Sequence, residues 1–157
     1  MEKRNKIRFI MTLLCAAWLG FIFVNSLLDG QQSSDMSGWV MKIAQSVLGF
    51  FSVPLELTEH FVRKAAHFTE YFILGALMFP TVKMYLKNEK TLLEAGVTAV
   101  LSFAAACFDE LFIQTRIPGR CGTIVDSFID LSGALTAVII LIAVKTAKNR
   151  RITEENK

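Results

Sequence analysis

Four long apolar stretches constrain this 157-residue chain more than any other feature: 7–28, about 60–82, about 91–113 and about 123–144. At about 1.5 Å of rise per residue, each is long enough to cross roughly 30 Å of bilayer hydrocarbon. Backbone polar groups in lipid must be satisfied internally, so segments of this kind are helices. Hydrophobic residues make up 53% of the chain and the mean hydropathy is +0.45, beyond what a small water-facing surface tolerates. The expected fold is an all-α membrane protein, a four-transmembrane-helix bundle. A cleaved signal peptide is the competing reading of the first stretch. Its apolar run is too long for a typical signal core and shows no small-residue cleavage site near its end, so a retained helix is expected.

Between the first two spans lies SSDMSGWVMKIAQSVLGFFSVP. Trp39, Val40, Ile43, Val47, Phe50 and Phe51 recur on one helical side, and Lys42, Gln45, Ser46 and Gly49 on the other. This predicts an extra amphipathic helix, with Ser34 or Asp35 near its N-cap and Trp39 as an anchor, lying in the interface or over the bundle. Pro54 should end it and begin the next helix.

Charge sets the orientation. Twelve of the seventeen basic residues fall in the N-terminal head, the loop after the second span (Lys83, Lys87, Lys90) and the tail. Those segments share one side, so both termini are expected to be cytoplasmic in a bacterial cell membrane. Membrane orientation explains the net charge of +3 without nucleic acid, for which no basic and aromatic alternation exists. Residues 1–147 form one membrane domain, followed by a solvated tail at 148–157. Cys15, Cys107 and Cys121 show no CxxC spacing, so neither a disulfide framework nor a zinc site is readable.

In that orientation, ionisable residues of three spans share one height. The second span enters from outside and carries Arg63, Lys64, His67 and Glu70 in its first turns. The third leaves outward with Asp109, Glu110 and Gln114 near its end, and the fourth begins outside with Asp126 and Asp130. Arg63, His67 and Glu70 form one stripe (i, i+4, i+7), and Asp126, Asp130, Gly133 and Ala137 form another. Polar groups in hydrocarbon cost several kcal/mol unless paired or hydrated, so the stripes should face each other around an outward-opening pocket. Plainer roles compete: a helix-dipole carboxylate for Asp126, snorkelling for Arg63 and Lys64, and salt bridging for His67, Glu70 and Asp130. The turn at Pro118 and Gly119 stops the third helix by about Arg116 and brings Arg120 to the pocket mouth. There Arg120 suits a phosphate or carboxylate, or an internal bridge to Asp126 or Glu110. His60 lies nearer the surface and reads as interfacial.

These residues carry a resemblance. KAAHFTEYFILG (with Lys64, His67, Glu70, Tyr71 and Gly75), then Asp109, Glu110 and Gln114 leading into IPGR, then DSFIDLSGA (with Asp126, Asp130 and Gly133) resemble, in order, the VanZ-like family of small bacterial membrane proteins. The piece NSLLDGQQSSDMS is similar too. In the family pattern the glutamine stands three residues after the second acid. Here Glu110 and Gln114 are four apart, which asks for a one-residue bulge or for Glu110 and Leu111 in the places of the family's acid pair. The resemblance implies a cell-envelope role associated with lowered sensitivity to teicoplanin-type lipoglycopeptides, without an established reaction.

Three functions compete. In the first, the pocket binds an anionic lipid headgroup, a lipid-linked peptidoglycan precursor or the lipoglycopeptide, with Arg63, Lys64 and Arg120 as cationic contacts and Tyr71, Gln114 and the acids lining it. In the second, His67, Glu70, Asp126 and Asp130 act as acid/base groups or metal ligands in a hydrolase or transferase acting on a polyprenyl or lipid phosphate. With no HExxH or similar motif, no metal and no cofactor are expected. In the third, the acids drive a small proton-coupled transporter or flippase, for which four helices are few unless the chain forms a homodimer.

Overall fold

The computed structural model describes residues 2–28, 30–50, 57–87 and 90–155, and at 47–49 only the helical backbone. All regular structure among them is helical: α1 (Glu2–Ser26), α2 (Gly30–Phe50), α3 (Glu59–Tyr85), α4 (Thr91–Phe108) and α5 (Ile124–Glu155). From α4 the chain runs through a π-helical turn, Asp109–Ile113, and a 3₁₀ turn, Gln114–Arg116.

Among the described residues, three helical segments are long and apolar enough to cross a membrane: Glu2–Ser26, Thr91–Arg116 and Ile124–Glu155. Helix α3 has the length, 27 residues, but its first turns carry Arg63, Lys64 and Glu70. It packs against α1, α2, α4 and α5, so much of its surface faces protein rather than solvent. Val62, Tyr71, Leu74, Gly75, Phe79, Thr81 and Val82 are all buried. Thr58 caps it, its hydroxyl accepting from the Phe61 N–H at 3.2 Å.

The most extensive helix pairing is α3 with α5, and it depends on small residues. A Cβ on Gly75 would lie 2.6 Å from the Ala134 carbonyl oxygen, and one on Gly133 would overlap the Phe68 carbonyl. Such close approach is how helices associate where lipid removes the hydrophobic drive. Polar ties hold α1 along α3: Thr12 to Tyr85 at 3.0 Å, Cys15 to Thr81 at 3.4 Å, and the Trp18 indole N–H donating to the Glu70 carbonyl at 2.8 Å. Ile22, Tyr71, Leu74 and Ala106 form a small core where α1, α3 and α4 meet.

The elements differ from expectation at several ends. Helix α1 includes the charged head, where Lys6 and Glu2 pair at 2.8 Å across one turn; apolarity marks the lipid span, while helix propensity carries on beyond it. Helix α2 starts at Gly30, so Ser34 and Asp35 lie inside it rather than at its N-cap. Its leading amide is satisfied by the Pro118 carbonyl at 3.0 Å, a loop contact that pattern reading does not reveal. Among its described side chains the most buried are Ser33 and Ser37, whereas Trp39 remains 67% exposed. Phe51 and Pro54 lie outside the described residues. Finally, α5 continues through the segment expected to be a frayed tail. Its fully exposed stretch to Glu155 contains no glycine or proline to stop it.

Candidate functional site

The ionisable residues converge at the end of the bundle where α1 finishes and α3 and α5 begin. They divide into an open cavity and a buried cluster, with His67 in both.

The cavity has a volume of about 540 Å³ and is walled by α1, α2, α3 and the turn before α5. Its polar lining includes Asn25, Ser33, Arg63, His67, Glu70 and Arg120; Trp18, Met36, Val40, Phe61 and Ile73 supply apolar wall. Glu70 Oε1 accepts from Asn25 Nδ2 at 2.8 Å. Arg120 donates to the Ser26 carbonyl at 3.2 Å and to the Ser33 hydroxyl at 2.8 Å. It makes no bridge to Asp126 or Glu110, the partners its position suggested. The turn holding it is pinned to α2 by the Gly30 N–H, which donates to the Pro118 carbonyl, and next to it Gly119 packs against Gly30 at φ 75°, a left-handed conformation that favours glycine. Burial pushes the Arg120 guanidinium below its ordinary pKa, with Asp109 and Glu110 acting in the opposite sense. Among the described residues neither Arg63 nor Arg120 has a carboxylate within ion-pair distance.

The buried cluster lies behind His67. Asp109 and Asp130 are 0% exposed and Glu110 1%. His67 Nδ1 stands 3.6 Å from Asp130 Oδ1 and 3.9 Å from Glu110 Oε1. Gln114 Nε2 donates to Asp109 Oδ2 at 3.1 Å and Glu110 Oε1 at 2.7 Å. Ser26 Oγ donates to Asp109 Oδ2 at 2.8 Å, and the Thr123 N–H to Glu110 Oε2 at 3.3 Å. The π turn at Asp109–Ile113 directs two consecutive acids inward, a feature often found at functional sites. The Tyr71 hydroxyl is buried without a hydrogen-bond partner. One ligand atom from each of His67, Asp109, Glu110 and Asp130 lies within 4.8 Å of the others, close enough to hold a metal ion.

The VanZ/LLP1 family model matches residues 9–145, most of the chain. The chain belongs to the VanZ/LLP1 family. No curated protein and no solved structure matches it. The residues that resembled this VanZ-type pattern divide by place: Lys64 and Asp126 form an ion pair outside the cavity lining, Glu70 and Arg120 line the cavity, and Asp109, Glu110 and Asp130 belong to the buried cluster behind His67.

Sequence reading missed Asn25, Ser26 and Ser33, which bind Glu70, Asp109 and Arg120. The available signal was polarity at the end of an otherwise apolar first helix, in the family-like stretch NSLLDGQQSSDMS. It also passed over Glu94, 0% exposed and 4.0 Å from Lys83 at the opposite end of the bundle.

Proposed function

We propose that this VanZ-family protein is a multi-pass protein of the bacterial cell membrane, with four spans, both termini cytoplasmic and α2 at the interface. In this reading its cavity opens outward and takes the anionic headgroup of a membrane lipid, a lipid-linked cell-wall precursor or a teicoplanin-type lipoglycopeptide. The observation that carries it is the cavity itself. Two guanidinium groups, without carboxylate partners among the described residues, meet an apolar wall, the combination that a phosphate or carboxylate attached to an acyl chain requires. The drug's own acyl chain fits the family's association with teicoplanin.

The test is teicoplanin and vancomycin sensitivity of a deletion strain complemented with wild-type protein, Arg120→Ala, Glu70→Gln or His67→Ala, with membrane levels matched by immunoblot. The expected result is that Arg120→Ala loses most of the teicoplanin protection while vancomycin sensitivity moves less. Full protection by all three variants would remove the cavity from the function.

One observation favours a second reading, an intramembrane hydrolase or transferase of a polyprenyl or lipid phosphate. His67 Nδ1 is unbonded and faces two buried carboxylates, an arrangement suited to a general base. Release of inorganic phosphate from a polyprenyl diphosphate by purified protein, absent in His67→Ala, would establish it; no release above a protein-free control would dismiss it.

A further inference from the structure

We propose that His67, Asp109, Glu110 and Asp130 bind one divalent cation of the Mn²⁺ or Zn²⁺ class, an inference that goes beyond the headgroup reading and does not depend on it. The donors come from three separate elements, α3, the π turn and α5, so they are not a local run of charge brought together by sequence. They converge to within 4.8 Å.

Unsatisfied valence supplies the second argument. Among the described residues, both oxygens of Asp130, Oδ1 of Asp109 and Nδ1 of His67 are buried without a hydrogen-bond partner, His67 Nδ1 coming no nearer to Asp130 Oδ1 than 3.6 Å. Asp109 is half committed: Oδ2 accepts from Ser26 and Gln114, while Oδ1 is left for something else. One oxygen held by protein donors and the other free is how a protein orients a carboxylate ligand.

Charge supplies the third. Three carboxylates lie in a protein interior where, among the described residues, no lysine or arginine is in ion-pair contact with them: Lys64 pairs with Asp126, and Arg120 acts on Asp109 and Glu110 only from a distance while bonding Ser26 and Ser33. Burying carboxylates is costly unless they are paired or bound to a metal. A dication meets that deficit where one ligand atom of each of the four residues converges. Three oxygens with one imidazole nitrogen suit a first-row cation that accepts both donor types. The competing account is that the acids share protons, which predicts no metal.

The experiment uses full-length protein in detergent, stripped with chelator and titrated with Mn²⁺ and, separately, Zn²⁺ in the absence of added lipid. Bound metal is counted by elemental analysis, with Mn²⁺ also followed by electron paramagnetic resonance. We expect saturation at one ion per chain, a rise in thermal midpoint with bound metal, and affinity about tenfold lower or worse in Asp130→Asn and Asp109→Asn. Glu94→Gln, which removes a buried acid at the far end, should bind like wild type. Size-exclusion elution and circular dichroism show whether each variant is folded, and His67→Gln repeats the test from α3. Absence of saturable binding in wild type, or wild-type affinity in folded Asp130→Asn and His67→Gln, would overturn the proposal. Because no lipid or drug takes part, failure here is separable from failure of the cavity reading.

Discussion

Gly133 and Lys64 show how single residues decide the bundle. A methyl group at Gly133 meets the Phe68 carbonyl of the facing helix, so Gly133→Ala should destabilise by about 1–3 kcal/mol through forced separation of α3 and α5. Thermal unfolding in detergent measures this, and an unchanged midpoint would refute the close contact. Lys64→Met leaves Asp126 without its cation in a mostly buried position. The expected loss is about 1–3 kcal/mol, between the values for exposed and buried pairs, and Asp126→Asn in the same chain should recover part of it. Much at this scale was legible: depth and spacing placed His67 and Asp130 on facing stripes. The partners of Arg120 were not, because a backbone carbonyl and a serine hydroxyl on α2 leave no charge pattern to read.

At the scale of elements, the wide turn at Asp109–Ile113 governs which way two acids point. Deleting Leu111 should restore ordinary helical winding and rotate the downstream residues by about 100°. Helix content by circular dichroism should hold while the thermal midpoint falls, since Gln114 would no longer reach both carboxylates. A variant as stable as wild type would mean that the wide turn does not hold them. An irregular spacing in the sequence hinted at this turn, although spacing alone left the bulge and the shifted register as equals. Helix α2 was legible as a helix, but its start was not, because the bond from Gly30 to Pro118 joins residues far apart in the chain.

For the whole molecule, the count of spans fixes the sidedness of the termini: an even number returns the chain to the side where it began. The apolar blocks made the all-helical fold readable. They did not show why α3 is polar, a property that its central place among the other helices explains. In a chain carrying Cys15→Ala and Cys107→Ala, the exposed Cys121 should react with a membrane-impermeant maleimide added to intact cells. With Cys121→Ala added to that background, Lys148→Cys should react only after permeabilisation. The opposite labelling of Lys148→Cys would place the two ends of α5 differently and refute the four-span arrangement.

The polarity of α3 also has a consequence for how the protein is made. A charge opposes insertion by roughly 2.5–3.5 kcal/mol at the middle of a bilayer and by less toward a helix end, so α3, with Arg63, Lys64 and Glu70 in its first turns, leaves the translocation machinery less readily than a wholly apolar helix. Its charged face is met by Asp126 and Asp130, which are synthesised only after α4 has passed. In the four-span arrangement, Lys64 and His67 of α3 therefore gain these partners only when α5 arrives, and the last helix made completes the pairing of the earlier one.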